Sequence, residues 1–352
     1  MTQLLLIYGA NGYTGRLIVE EAYRRGLRPI IAGRSAESIE ALASQWDLPA
    51  RVFSLEEPAR LLEMLQDVHT LVNCAGPFYS RSFKPLLRAC MNSGTHYLDI
   101  TGEVDVFEEA ASQGEQAAAV GIVVMPGVGF DVVPTDCLAA HLKRRVPDAV
   151  SLSLGFSGSG GVSHGTAMTM VENIAEQSLV RRAGDLVPVA SGSRTRVIDF
   201  GRGPRLGMGI PWGDVSTAFY STAIPNIEVY MAVSEQMHRM TRLTRHLGWL
   251  LGSTPVQYGL RRWLDANLSG PSEETRRTCR TWVWGEVTDA AGKTTTSRLE
   301  TPEAYTLTAQ ATVLIAEKVL RGECTPGFHT PSTGFGADLI LEVEDVIRRD
   351  EG

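Results

Sequence analysis

The sequence predicts an α/β fold: a doubly wound parallel sheet followed by a second α+β domain of mainly antiparallel sheet. Three observations predict it. Short apolar segments alternate with amphipathic helical ones as far as Met125. A glycine-rich turn follows the first apolar segment. Beyond about Asp131, strand-like segments succeed one another with few helices between them.

The alternation is regular. Leu4–Tyr8 is short and apolar; Thr14–Arg25 is helical, with Leu17, Ile18 and Ala22 on one face and charges opposite. Pro29–Ala32, Ala50–Ser54, Thr70–Cys74, Tyr97–Ile100 and Ile122–Met125 read as further strands, with helices over Glu37–Gln45 and Pro58–Gln66. In the second part, strands are expected at Val150–Phe156, Arg194–Asp199, Ile227–Val233, Thr278–Thr288 and Thr294–Leu299. The last two are joined by the hairpin signal Asp289-Ala290-Ala291-Gly292. Helices are expected at Thr166–Arg182, Gln236–Leu251 and Pro302–Leu320.

Composition narrows the function class. Of 352 residues, 43% are hydrophobic and 21% charged, the balance of a globular protein. The net charge of −7 and the lack of a long basic run argue against non-specific nucleic-acid binding. Arg24-Arg25, Lys143-Arg144-Arg145 and Arg181-Arg182 read as solvated helix faces or ends. Five scattered cysteines (Cys74, Cys90, Cys137, Cys279, Cys324) include no CxxC pair, which suits free thiols in a cytoplasmic protein and offers no structural metal site. The start runs straight into a strand, and the apolar stretch Ala117–Val133 is broken by glycines and a proline, so neither a signal peptide nor a membrane span is expected.

The informative motif is Gly9-Ala10-Asn11-Gly12-Tyr13-Thr14-Gly15, a GxxGxxG turn one residue longer at its first gap than GxGxxG. It follows a strand and opens a helix, the context of a Rossmann dinucleotide site. Gly9 permits the tight turn, Gly12 lets backbone approach a pyrophosphate, and Gly15 lets the helix pack on the strand. The helix N-terminus then offers free N–H groups to phosphate. At the end of the second strand an acidic residue would bind a ribose 2′-OH; this chain has Arg34 and Ser35 instead, where a 2′-phosphate would sit. One charge-assisted hydrogen bond of about 1.5–3 kcal/mol is worth roughly a tenfold to hundredfold preference for NADPH. Ala75, Gly76 and Pro77, after the fourth strand, are small or stiff enough for the other half of the cofactor. Cys74 beside them reads either as a nucleophile or as a buried strand-end thiol.

Reduction needs a proton donor beside the acceptor. The candidates are His164, Asp131 and Tyr97, with Asp99 and Glu103 at neighbouring strand ends. His164 lies in a Gly/Ser-rich loop and has the ordinary histidine pKa suited to neutral pH. No Tyr-x-x-x-Lys pair is present, and no metal constellation stands out. The stretch 243–264 mixes Leu, Trp and Arg; a peripheral membrane or lipid contact, a homodimer interface and a cleft cover all remain open for it.

These residues resemble the saccharopine dehydrogenase-like oxidoreductase family, which includes bacterial trans-acting enoyl reductases. The resemblance is carried by GANGYTG, the Ala32-Gly33-Arg34 turn, Asn73–Phe78, Tyr97–Glu103 and Pro126–Asp136. Ser163–Met168, Gly270–Glu274 and Thr330–Thr333 are looser matches. It implies an NADP-binding domain over residues 1–130, to which 326–352 returns, and an α+β substrate or dimerisation domain over 131–325. It also implies an NADP-dependent reductase, and the leading reading is reduction of a C=C or C=N bond in a small or lipid-like metabolite. Two other readings are an NADPH-binding regulator without turnover and an amino-acid C–N dehydrogenase. The last would need cationic clamps for carboxylates, for which Arg181, Arg194 and Arg202 are available.

Overall fold

The first strand, β1 (Leu4–Tyr8), is buried after its first residue because helices cover both faces of its sheet. Around it the chain winds as the sequence pattern predicts, through α1 (Tyr13–Arg24), β2 (Ile30–Gly33), α2 (Ala36–Trp46), β3 (Ala50–Val52) and α3 (Pro58–Leu65). The winding continues with β4 (Val68–Asn73), α4 (Phe83–Ser93), β5 (His96–Asp99), α5 (Val104–Ser112), α6 (Gly114–Ala119) and β6 (Val123–Met125). A short β15 (Gly327–Phe328) adds to β6, giving a seven-stranded parallel sheet of order β15-β6-β5-β4-β1-β2-β3. The order reverses between β1 and β4, the switch point at which such sheets bind ligands. Tyr8 is in register with Asn73, and Asn73 with Asp99, so three strands end level with one another. The core beneath includes Leu6, Leu71, Phe83 and Tyr97, each fully buried.

This computed structural model describes residues 4–158, 178–244, 256, 262 and 270–351. The chain divides into two units, Met1–Val133 with Tyr305–Phe335, and Pro134–Ala304 with Gly336–Gly352.

The second unit follows α7 (Val133–Arg145), whose Leu138 and Leu142 lie against Gly285, where a Cβ would come within 2.7 Å of Leu142 Cδ1. Its strands are β7 (Ser151–Gly158), β8 (Ser178–Arg182), β9 (Asp185–Val189), β10 (Thr195–Asp199), β11 (Pro204–Gly209), β12 (Asn226–Ala232), β13 (Arg280–Thr288), β14 (Thr294–Pro302) and β16 (Ile347–Glu351). They form a nine-stranded sheet, ordered β10-β11-β12-β7-β13-β14-β16, with β8 paired to β12 and β9 to β8. It is antiparallel except between β12 and β7. Helices α8 (Asp214–Thr222), α9 (Glu235–Thr244) and α10 (Glu273–Thr278) join these strands. The Asp289 carboxylate turns the β13–β14 hairpin by accepting from Ala291 N and Lys293 N, each at 2.9 Å.

Two expectations need correction. The helix expected over Thr166–Arg182 is a strand where it is described: β8 turns at Ala183-Gly184, both with positive φ, and pairs with β9. Arg181 is accordingly buried rather than on a solvated helix face. The return to the first unit also begins and ends earlier than 326–352. Helix α11 (Ala304–Leu320), apolar around most of its circumference, and α12 (Pro331–Phe335) with β15 join the first sheet, while β16 pairs with β14 in the second unit. Ion pairs of Asp338 with Arg144 and Arg348 fix that last segment there.

His164, the segment Ser163–Met168, and the stretch 245–264 apart from residues 256 and 262 lie outside the described residues. No helix among the described residues is long and apolar enough to cross a membrane.

Candidate functional site

The glycine turn sits at the switch point. Gly9 has φ +76°, which only glycine adopts without strain, and a Cβ there would lie 2.9 Å from Ala75 N. Gly9 N and Ala10 N donate to Ala32 O, and Gly12 N to Gly9 O, so the turn is held by backbone alone. Gly12 is the exposed N-cap of α1, and a Cβ on it would meet nothing nearer than Gly9 O at 3.3 Å. At Gly15 a Cβ would lie 2.8 Å from Ala10 Cα, so helix and turn touch. Tyr13 and Thr14 open the helix, whose first turn holds no acidic residue. The turn thus offers a bare helix end to a diphosphate, and the residues fit that group.

Arg34 stands exposed just after β2, and its charge reaches the Tyr8 phenol, whose pKa is raised by burial and only partly offset by Arg34. Ser35 caps α2, with its hydroxyl on Ser38 Oγ at 3.1 Å. Asn11 holds Arg16 through its carbonyl, and its side-chain oxygen closes over Gly33. Every residue expected to meet the phosphates and the adenosine ribose therefore lies on one rim of the sheet.

The end of β4 lies on the same edge of the sheet, beside the glycine turn. Ala75, Gly76 and Pro77 run from Cys74 into a single π-turn, Phe78–Ser82. Asn73 organises this loop: its Oδ1 accepts from Ala75 N at 3.0 Å, and its Nδ2 donates to Ser82 Oγ at 2.9 Å and to Tyr97 at 3.2 Å. Ser82 donates to Ala75 O at 2.6 Å. Glu103 accepts from Phe78 N at 2.9 Å and Tyr79 N at 2.8 Å. Neither Asn73 nor Ser82 has a role of its own in the sequence reading; an asparagine ending the strand directly after Leu71-Val72 was the available signal.

Tyr97, expected as a proton donor, is fully buried and donates to Asp99 Oδ2 at 2.8 Å. That geometry makes it a positioning residue. Asp99 also accepts from Thr101 N at 3.0 Å and Gly127 N at 2.9 Å through Oδ1. Burial lifts its carboxyl to about 7, against the lowering effect of these donors. Burial likewise raises Cys74 far above an ordinary thiol, with Asp99 adding to the effect, which removes the thiolate a nucleophile needs.

Asp131 lies in the loop after β6. Its carboxylate packs on Gly102, where a Cβ would fall 2.8 Å from Asp131 Oδ2. Burial pushes it up to about 7, a value suited to proton transfer at neutral pH. This loop is braced from α11: Phe130 N donates to Thr308 Oγ1 at 3.0 Å, and Thr312 Oγ1 donates to Val128 O at 3.2 Å. Tyr305 of the same helix packs edge-on against Tyr13, ring centroids 5.1 Å apart. Each of these contacts spans at least 178 residues of sequence, so no local pattern announces them.

The arginines proposed as carboxylate clamps are otherwise engaged. Arg181 donates to Val215 O and Gly184 O, each at 2.7 Å, beneath Phe219. Arg194 pairs with Glu228, and Arg202 lies over Trp282. Among the described residues no group of His, Cys, Asp and Glu side chains could hold a metal.

Comparison with known proteins agrees with this geometry. Residues 5–125 match the model of the saccharopine dehydrogenase NADP binding domain. A trans-acting enoyl reductase of Mycobacterium ulcerans (strain Agy99) is 34% identical over 154 residues, 41% of this chain and 36% of that protein. A saccharopine dehydrogenase-like oxidoreductase of Homo sapiens is 27% identical over 206 residues, 51% of this chain and 47% of that one. The matches thus span about half or less of those proteins' lengths. Among solved structures, apo saccharopine dehydrogenase (L-Glu forming) from Saccharomyces cerevisiae superposes with a TM-score of 0.68, at 11% identity, over 99% of this chain and 100% of that one, a likeness of fold. Over residues 5–125 the chain is therefore similar to the NADP-binding domain of saccharopine dehydrogenases.

Proposed function

We propose that this chain is an NADPH-dependent oxidoreductase that reduces a C=C or C=N bond of a small or lipid-like metabolite, with Asp131 as proton donor. The observation that carries the reading is the position of Asp131: a carboxyl lifted to about 7, at the carboxyl end of the sheet, on the β5–β6 side of the switch point. Bound NADPH supplies the hydride. The chain's residues do the rest. The glycine turn and α1 hold the diphosphate, Arg34 and Ser35 the 2′-phosphate, and the Ala75–Pro77 loop the nicotinamide half. Asp131 holds a proton at neutral pH and delivers it to the atom of the double bond that does not receive the hydride; solvent then reprotonates the carboxylate. The name of the Mycobacterium ulcerans relative supports a C=C substrate. The engagement of Arg181, Arg194 and Arg202 elsewhere speaks against the amino-acid reading.

The test is NADPH oxidation, followed at its absorbance band, against a panel of enoyl thioesters and cyclic imines. Turnover of either class, lost in Asp131→Asn while NADPH still binds, is the expected result. Tight NADPH binding with no turnover across both classes would replace this reading with a regulator that senses the cofactor.

A further inference from the structure

Asp99 is a buried carboxyl, ionised above about pH 7, at the edge of the proposed nicotinamide half. It is 0% exposed, and no lysine or arginine forms an ion pair with it among the described residues. Its hydrogen bonds favour the charged form, against the burial that disfavours it. Oδ1 already accepts two backbone N–H groups, and Oδ2 accepts the Tyr97 hydroxyl. Tyr97 has one proton to give and in turn accepts from Asn73. A proton on Oδ2 would face the Tyr97 proton, and a proton on Oδ1 would face two N–H groups. Asn73 cannot reverse the chain either, because its own oxygen is fixed by Ala75 N. The network is therefore directional, and it ends on a carboxylate acceptor.

The charge is felt at the crevice floor. It raises the pKa of Cys74, the partly exposed residue at the end of β4 beside Ala75. The charge of Glu103 is repulsive to it. A buried carboxylate without a cation is costly, and a ligand that brings a cation to it is favoured.

Resting on the cofactor reading above, we infer that the Asp99 carboxylate sets the redox preference of this site, favouring the oxidised dinucleotide over the reduced one. The two forms differ in charge at the ring: the nicotinamide of NADP+ is cationic and that of NADPH neutral. Both carry the same phosphates, so Arg34 and the glycine turn do not distinguish them. A fixed anion at the ring end does. By tightening the oxidised form it makes bound NADPH a stronger hydride donor, and its role is separate from that of Asp131, which moves a proton.

The experiment is the ratio of dissociation constants, Kd(NADPH)/Kd(NADP+), measured by titration calorimetry at pH 8.5 on the full chain. Asp99→Asn removes the charge and keeps the shape; the ratio is expected to fall about tenfold. That is the effect of a unit charge roughly 12 Å away at an effective dielectric of about 20. Tyr97→Phe loosens the same network but keeps the carboxylate, and the ratio is expected to stay within threefold of the wild type. An unchanged ratio in Asp99→Asn overturns the inference, as does an equal fall in both variants, which would mean that packing and not charge sets the preference. If Asp99→Asn does not fold, the wild type alone decides. It is expected to bind NADP+ at least as tightly as NADPH, and tenfold tighter binding of NADPH overturns the inference. A wild type that binds neither form overturns the cofactor reading itself and this inference with it, whereas binding of both with an unaltered ratio overturns this inference alone.

Discussion

Gly9 and Ala75 meet across the switch point so closely that a Cβ on Gly9 would stand 2.9 Å from Ala75 N and 3.0 Å from Ala75 Cβ. The ends of β1 and β4 are thus held at a separation that only glycine allows. Gly12, three residues on, faces no such wall. The two glycines therefore separate folding from binding. Gly9→Ala should destabilise the protein by about 2–4 kcal/mol, from the left-handed backbone and the overlap together. Gly12→Ala should melt within a few degrees of the wild type but lose most NADPH affinity, because its Cβ intrudes on the phosphate side. Thermal melts and NADPH fluorescence titration on both variants check this; equal loss of stability in the two would contradict it.

Arg34 is exposed, and no ion pair holds it among the described residues. Arg34→Ala should leave the melting temperature unchanged and weaken NADPH binding tenfold to a hundredfold, the worth of one charge-assisted bond to phosphate at roughly 1.5–3 kcal/mol. NADH binding should not change. An equal loss for both nucleotides would show that Arg34 acts on a part the two share.

How far sequence reaches can be judged from these same residues. The glycine turn, Arg34 and the Ala75–Pro77 loop were legible because each is local: a backbone constraint or a charge at a fixed place in a strand–turn–helix unit. The alternation of strand and helix was legible for the same reason. Asn73 was not, because its importance lies in partners on α4's approach and on β5. Thr308 and Tyr305 were not, because they lie on a helix that returns to the first unit only after Pro134–Ala304. Arg181 misled: its neighbours look helical in isolation, and only pairing of β8 with β9 makes them a strand.

Thr308 provides a test of the brace from α11. Its hydroxyl accepts Phe130 N–H, and its methyl lies where Gly129 leaves room, 2.8 Å from a Cβ placed there. Thr308→Val keeps the shape and removes the hydroxyl that accepts from Phe130 N, at a cost of about 1–3 kcal/mol. The loop that carries Asp131 should loosen with it, so kcat should fall more than NADPH affinity. Thr308→Ser restores the acceptor and should recover most of kcat. If valine and serine behave alike, the hydroxyl does not position the loop.

Asp131 gives a pH signature in stability as well as in rate. Its folded-state pKa, about 7, lies above the ordinary carboxylate value of about 3.9, so between those pH values the folded chain keeps a proton that the unfolded chain has released. The stabilisation is complete below about pH 4 and is lost as pH rises through 7. Asp131→Asn does not titrate. Urea midpoints measured at pH 5, 6, 7 and 8 should therefore fall less steeply in the variant, with the difference vanishing above pH 8. In turnover the same group makes kcat/KM fall above about pH 7, a limb that Asp131→Asn should lack along with a loss of roughly 10²–10⁴ in rate.

Arg181 separates architecture from substrate recognition. Arg181 is 4% exposed; its guanidinium donates to the carbonyls of Val215 and Gly184 and lies 4.2 Å from the Phe219 ring centre. It fastens the β8–β9 turn to the start of α8. Removing it strands two acceptors and opens a hole, so Arg181→Ala should cost about 2–4 kcal/mol. Arg181→Lys should recover only part of that, since one ammonium cannot span both carbonyls and stack on the ring as well. Were Arg181 instead a clamp for a substrate carboxylate, the alanine variant would keep its stability and lose affinity only for acidic substrates. Thermal melts beside KM values for acidic and neutral substrates distinguish the two, and the buried geometry predicts lower stability with an unaltered ratio of KM values.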